Sequence, residues 1–111
     1  DRLRGMFSLL IYDFQTKKIL VARDQFGIKP LYVHDCNKFI IFSSEIKPIL
    51  NYLKKTNFNY HTIAEFLLLG KQDHHNTTFF NNIDSVKPSH YYKYTANGII
   101  KKKYWSIFSN K

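Results

Sequence analysis

Four places in the chain combine residue types that can do chemistry. "ARDQFGIKPLYV" (residues 22–33) sets Arg23 beside Asp24, follows them with Gly27, and runs on through Lys29, Pro30, Leu31 and Tyr32. It offers two opposite charges and a pliable backbone position, but no nucleophile and no metal-ligand spacing. Cys36 lies two residues after His34, and a neighbouring base can make a thiol nucleophilic by lowering its pKa. The surrounding "HDCNKF" separates two strand-like runs, so the adopted reading is a surface thiol in a turn. His74 and His75 are adjacent in a polar loop, where imidazoles can bind a metal. With no cysteine nearby and no spaced third histidine, no metal is expected. "KKKYW" (Lys101 to Trp105) interleaves cations with aromatics as a single-strand nucleic-acid surface does. It is read instead as the solvated end of a strand.

Composition narrows the field further. The chain has 111 residues, at most one small domain. Its 44% hydrophobic and 17% aromatic content exclude a disordered chain. No run of about 18 apolar residues occurs, so no membrane span is expected. "DRLRGMFSLL" lacks the layout of a signal peptide. It also starts at Asp1 without an initiator methionine, and the expectation is a chain taken from something longer. The single cysteine excludes an internal disulfide framework and suits a reducing, cytoplasmic setting. A net charge of +9 favours polyanions on electrostatic grounds. Lysine is spread along the chain with many Asn, Ile, Tyr and Phe, however. The charge is therefore read as compositional bias, and neither a nucleic-acid nor a membrane partner is expected.

The elements that must position these residues follow from the hydrophobic pattern. Gly5 to Asp13 and Ile19 to Asp24 are β-branched and aromatic runs separated by the hairpin-length turn "FQTKK". "KPLYVHD" and "KFIIFSS" form a third and fourth strand, joined at Cys36 and Asn37. Their spacing of about 8–12 residues predicts an antiparallel meander. At "SSEIKPILNYLKK" the period changes. Ser43 or Ser44 is placed as the cap and Glu45 in the first turn, with Ile46, Ile49, Leu50 and Leu53 on one face. Pro48 fits only in the first turn, where its missing N–H is not needed. A second helix in "NYHTIAEFLLLG" takes Thr62 as cap and Gly70 as stop, with Ile63, Phe66, Leu67 and Leu69 on a face that must pack. The tail reads as a hairpin around Asn97-Gly98, a type I′ signal. Helices against antiparallel sheet give an α+β fold.

"LRGMFSLLIYD", "ILVARDQFGIKPLYV", "FIIFSSEIKPIL", "IAEFLLLG", "TTFFNNIDSVKPSHYYKY" and "YWSI", in that order, resemble the glutaminase domain of glutamine-hydrolysing asparagine synthetases. The motif residues are Arg23, Asp24, Gly27, Lys29, Pro30, Leu31 and Tyr32, followed by Ser44, Glu45 and Lys47. The resemblance covers essentially residues 1–111. It implies part of an αββα N-terminal-nucleophile hydrolase sandwich, with helices outside two stacked antiparallel sheets. In that family an N-terminal Cys attacks the glutamine amide and its own α-amine is the base; an α-amine titrates near neutrality, at about 7.7–8.0. The ammonia passes to a synthetase domain in cis, where ATP and Mg²⁺ activate aspartate; a homodimer is also within the family's range.

The resemblance implies equally that the reacting parts lie outside this stretch. Asp1 stands where no Cys precedes it. The family's glutamine-binding Arg, "NGE"-type loop and later Asp fall upstream of "RGMF", and the synthetase domain falls after "YWSIF". No catalytic, glutamine-binding or metal-binding role is therefore carried onto residues of this chain, and residues 1–111 are expected to hydrolyse no glutamine. Removal of the first strands is expected to leave apolar sheet uncovered. The opening stretch is read as scaffold: Gly27 allows a turn, Pro30 opens a strand, and Arg23 pairs with Asp24, Glu45 or a backbone carbonyl. Two departures stand out. "KPSH" (Lys87 to His90) replaces the family's "PPGH", a strain unless Ser89 keeps an ordinary φ, and Ser43 replaces an alanine, tolerable if its hydroxyl finds a partner. Two other readings stay open here: a non-catalytic remnant reused for partner or nucleic-acid binding, and a piece of another class II amidotransferase.

Overall fold

Alternating short strands and tight turns place the first hairpin as the sequence predicts. A computed structural model describes residues 3–36, 38–71 and 75–108; Asp1, Asn37 and His74, named above, lie outside the described residues. β1 (Ser8–Asp13) pairs antiparallel with β2 (Lys18–Arg23), Leu10 opposite Val21 and Tyr12 opposite Ile19. Asp13 closes the turn by accepting the backbone N–H groups of Gln15 and Thr16 at 2.9 and 3.1 Å. β3 (Tyr32–Cys36) and β4 (Phe39–Ser43) form a second antiparallel hairpin.

The meander breaks between these hairpins. β2 pairs not with β3 but with β6 (His90–Thr95), which in turn pairs with β7 (Gly98–Lys103), giving a four-stranded sheet in the order β1-β2-β6-β7. β3 pairs instead with β4 and with a two-residue strand, β5 (Asp84–Ser85), in a three-stranded sheet ordered β4-β3-β5. Both sheets are antiparallel, and with two helices the chain is α+β. Strands far apart in sequence pair here because apolar faces, and not chain proximity, decide which neighbour buries them.

Two compact units result: residues 1–30 with 87–111, and residues 31–86. The first holds the four-stranded sheet, and Val21, Tyr92 and Tyr94 are buried in it. The register places Tyr92 beside Val21 and Lys101, and the Lys101 ammonium lies 5.0 Å from the Tyr92 ring centroid. The other β7 lysines are exposed, as expected of a solvated strand end. In the second unit Leu31, Val33, Ile49, Ile83 and Val86 form the core.

α1 (Ile46–Leu53) holds Pro48 as its third residue, in the first turn, and buries Ile49 completely. Neither Ser43 nor Ser44 is its cap. Glu45 occupies that position without a side-chain cap bond, while the Ser43 hydroxyl accepts the Glu45 N–H at 3.2 Å. That bond gives the Ser43 hydroxyl its partner. α2 (Tyr60–Leu69) begins earlier than Thr62 implied. Asn59 is its cap, accepting the Thr62 N–H at 3.2 Å, and Gly70 ends it at φ 61°. No α2 residue is fully buried, and Leu67 and Leu68 are 75% and 81% exposed. The apolar face expected to pack is largely open.

The tail hairpin is real but its turn is not type I′. That turn needs positive φ at both central residues, whereas Ala96 and Asn97 have none and Gly98 carries it, at φ 124°. The Thr95 hydroxyl supplies the closure, accepting the Asn97 N–H at 3.2 Å and donating to the Gly98 carbonyl at 3.1 Å. Among the described residues no helix is long and apolar enough to cross a membrane.

Candidate functional site

The "RDQFGIKP" loop leaves the end of β2 with a string of backbone groups that no strand partner satisfies, and its two charged side chains supply those partners. Asp24 is 1% exposed. Its Oδ1 accepts the N–H groups of Phe26 at 3.1 Å and Ile28 at 3.0 Å, and its Oδ2 accepts that of Lys29 at 3.0 Å. Arg23 does the complementary work: Nε donates to the Lys29 carbonyl at 2.8 Å and Nη2 to the Gly27 carbonyl at 2.6 Å. The acid satisfies donors and the base satisfies acceptors of the same loop. Burial pushes the Asp24 carboxyl upward, but the N–H groups of Lys29, Ile28 and Phe26, with a further contribution at Phe7, outweigh it and hold the group below the ordinary carboxylate value. Asp24 is thus a fixed anion at neutral pH.

Gly27 sits at φ +66°, and a Cβ there would lie 2.7 Å from Pro88 Cγ and 3.1 Å from Arg23 Cζ. Glycine is needed twice over, for the conformation and for the space. Pro30 does not open a strand; it precedes β3 by two residues.

Ser89 completes this cluster from the start of β6. Its N–H donates to the Asp24 carbonyl at 2.9 Å, its hydroxyl to the Gln25 carbonyl at 2.7 Å, and its own carbonyl accepts the Tyr104 N–H at 2.8 Å. It does not keep an ordinary φ. At φ 63° and 5% exposure it holds the left-handed conformation that a glycine would take freely. Ser89→Gly should therefore lie within about 1 kcal/mol of the parent, since relief of about 1–2 kcal/mol of strain offsets a lost hydrogen bond of about 0.5–1.5 kcal/mol. Ser89→Ala keeps the strain, loses the bond and should cost about 1–2 kcal/mol. Denaturation midpoints of the two variants check this ordering.

Tyr104 ties the far end of the unit to the same loop. Its hydroxyl donates to the Arg23 carbonyl at 2.7 Å. Burial, then the charge of Asp24, raises its pKa above that of free tyrosine, so the phenol stays a donor through ordinary pH. Phe26 meets Trp105 edge to face at 5.3 Å.

The structure thus gathers Arg23, Asp24, Gly27 and Lys29 into one network, with Pro30 at the end of the same unit, and leaves Leu31, Tyr32, Ser44, Glu45 and Lys47 to the second unit. There Leu31 is buried and its carbonyl accepts the Val86 N–H at 2.8 Å, while Tyr32 lies opposite both Ser43 and Ser85. Ser44, Glu45 and Lys47 are exposed at the start of α1. Sequence reasoning missed Tyr104, which is 81 positions from Arg23 and carries no local signal. The one available hint for Ser89 was its place in "KPSH".

The other chemical candidates resolve into structure. Cys36 Sγ donates to the Phe39 carbonyl at 3.4 Å, while His34, 7% exposed, engages the Asn82 carbonyl through Nδ1 at 2.7 Å. Each contacts a backbone carbonyl. His75 and His61 approach the same Glu65 oxygen at 3.8 and 3.5 Å. Among the described residues no group of three His, Cys, Asp or Glu is arranged to hold a metal ion.

Asp24 and Arg23 together satisfy three N–H groups and two carbonyls of this loop from within it. Comparison with known proteins agrees with the motif. The chain is 35% identical over 114 residues to asparagine synthetase [glutamine-hydrolyzing] 2 of Bacillus subtilis, covering 96% of this chain and 15% of that protein. It is 29% identical over 112 residues to asparagine synthetase [glutamine-hydrolyzing] 3 of the same organism, covering 100% of this chain and 18% of that protein. A protein of Gibberella zeae named amidase chry2 is 32% identical over 93 residues, covering 82% of this chain and 13% of its own length. The chain therefore spans less than a fifth of these relatives. Residues 1–105 match the glutamine amidotransferase domain, and the chain belongs to that family.

Proposed function

We propose that residues 1–111 are the later part of the glutaminase domain of an asparagine-synthetase-type amidotransferase. The observation that carries this is the family match over residues 1–105, together with relatives named as glutamine-hydrolysing asparagine synthetases. On this reading the two antiparallel sheets belong to an αββα N-terminal-nucleophile sandwich. Glutamine is hydrolysed by an N-terminal Cys contributed by an earlier segment, its α-amine taking the thiol proton. The ammonia is delivered to a synthetase domain in cis, where aspartate becomes asparagine in the cytoplasm. ATP and Mg²⁺ serve that domain, and no residue of this chain is assigned to them. The chain's own contribution is rigid support: Asp24 and Arg23 fix the loop, and Gly27, Ser89 and Tyr104 lock it to β6 and the exit of β7.

Two preparations test this. Purified residues 1–111 should release no glutamate from glutamine above a mock preparation, and the full-length protein should release glutamate and, with ATP and aspartate, form asparagine. Turnover by residues 1–111 alone would overturn the assignment of the nucleophile, and a full-length protein inert toward glutamine would overturn the function.

A further inference from the structure

We propose that Asn97 is a self-modifying site: its side-chain amide is lost to attack by the backbone nitrogen of Gly98, at a rate that the Thr95 hydroxyl restrains. Asn97 is the only asparagine in the chain followed by glycine. The step is an intramolecular acyl transfer. The Gly98 nitrogen gives up its proton, bonds to the Asn97 side-chain carbonyl carbon and closes a succinimide ring. The side-chain nitrogen takes up that proton and leaves as ammonia. Water then opens the ring at either carbonyl and leaves an aspartyl or an isoaspartyl residue at position 97. Water is the sole co-reactant, because nucleophile and electrophile sit in adjacent residues.

The turn leaves the nucleophile open. Asn97 and Gly98 are both exposed, and a Cβ added at Gly98 would meet nothing within 4 Å. With no side chain of its own, Gly98 does not shield its nitrogen. It is also the first residue of β7, paired with Thr95 at the last rung of the ladder, where a sheet opens most readily. Other asparagines are placed differently. The Asn59 Oδ1 is engaged by the Thr62 N–H, and Asn81 Nδ2 donates to the Phe58 carbonyl at 3.3 Å. Asn51 lies within α1 and precedes the bulky Tyr52. Thr95 sets the pace at position 97. Its hydroxyl accepts the Asn97 N–H and donates to the Gly98 carbonyl. The reacting atoms meet only when the backbone turns between those two anchor points, so the brace opposes ring closure.

The test incubates the full-length protein at neutral pH, folded and unfolded in urea, beside its Asn97→Gln and Thr95→Val variants. An unchanged melting temperature shows that each variant is folded. Peptide mapping by mass spectrometry locates the exchange of amide for carboxyl, and an isoaspartyl methyltransferase measures the isoaspartyl product. In the folded protein, modification should accumulate at position 97 ahead of every other asparagine, as a mixture of both products. Asn97→Gln should abolish it, because the longer side chain closes its ring far more slowly. Thr95→Val should speed it about two- to tenfold, the rate equivalent of one hydrogen bond released. An Asn97 that stays intact in the folded protein while it reacts in urea overturns the site. So does an aspartyl product alone, which direct hydrolysis would give. An unaltered rate in Thr95→Val overturns the restraint. The amidotransferase reading stands or falls separately, since no arm measures glutamine turnover.

Discussion

Asp24→Ala should lower the stability of the folded chain by about 3–5 kcal/mol, measured as the shift in denaturation midpoint at pH 7. The reason is the number of groups it leaves behind. The N–H groups of Phe26, Ile28 and Lys29 all end on this carboxylate, and the residue is buried at 1% exposure. Charge-assisted bonds exceed neutral ones, and each abandoned donor carries its own desolvation cost. Against a total of about 5–15 kcal/mol for a small domain, that loss is a large share. Asp24→Asn should be milder, since one oxygen remains to accept. The same group sets the acid limit. Its pKa is depressed in the folded chain, so the unfolded chain binds a proton first as the medium acidifies. The stabilisation is therefore complete above the unfolded value of about 3.9, and is lost as pH falls below it toward the folded value. A pH series from neutral to acid should show the parent losing its advantage over Asp24→Asn in that window. A constant difference at every pH would mean the carboxylate charge is irrelevant.

Gly27→Ala should cost about 2–4 kcal/mol, the sum of a left-handed backbone conformation and an overpacked contact. The new methyl would stand 2.7 Å from Pro88 Cγ, a ring held in the chain and unable to swing aside. Gly70 gives the internal comparison. It has φ +61°, but a Cβ added there would meet nothing within 4 Å, so Gly70→Ala should show only the conformational part, about 1–2 kcal/mol. Equal losses at the two positions would remove the steric half of the argument. Because Gly27 and Asp24 belong to one network, their combined variant should lose less than the sum of the two.

How far these features could be read beforehand depended on whether their causes are local. β1 with β2 and β3 with β4 follow from alternating runs joined by short turns, and Pro48 announced the first turn of α1. A backbone carbonyl was among the partners the sequence offered Arg23; that the Asp would hold three amides and the Arg two carbonyls was not legible, because it depends on the path of the loop. Caps were displaced for a similar reason. Ser43, Ser44 and Thr62 have the right chemistry, but Glu45 and Asn59 occupy the positions where the chain enters each helix. The pairing of β2 with β6 and the reach of Tyr104 to Arg23 are long-range, set by apolar faces and by one hydroxyl finding a carbonyl. β5 is only two residues long and has no periodicity to detect. The Asn97-Gly98 pair signalled a turn correctly and its type wrongly, because Thr95 offered a closure that needs positive φ at Gly98 alone.

The most direct test of the central claim is the N-terminal sequence and intact mass of the native protein. The amidotransferase account predicts a longer chain whose processed first residue is Cys, with "ARDQFGIKPLYV" well inside it. A native chain beginning at Asp1 with the mass of these 111 residues would contradict it.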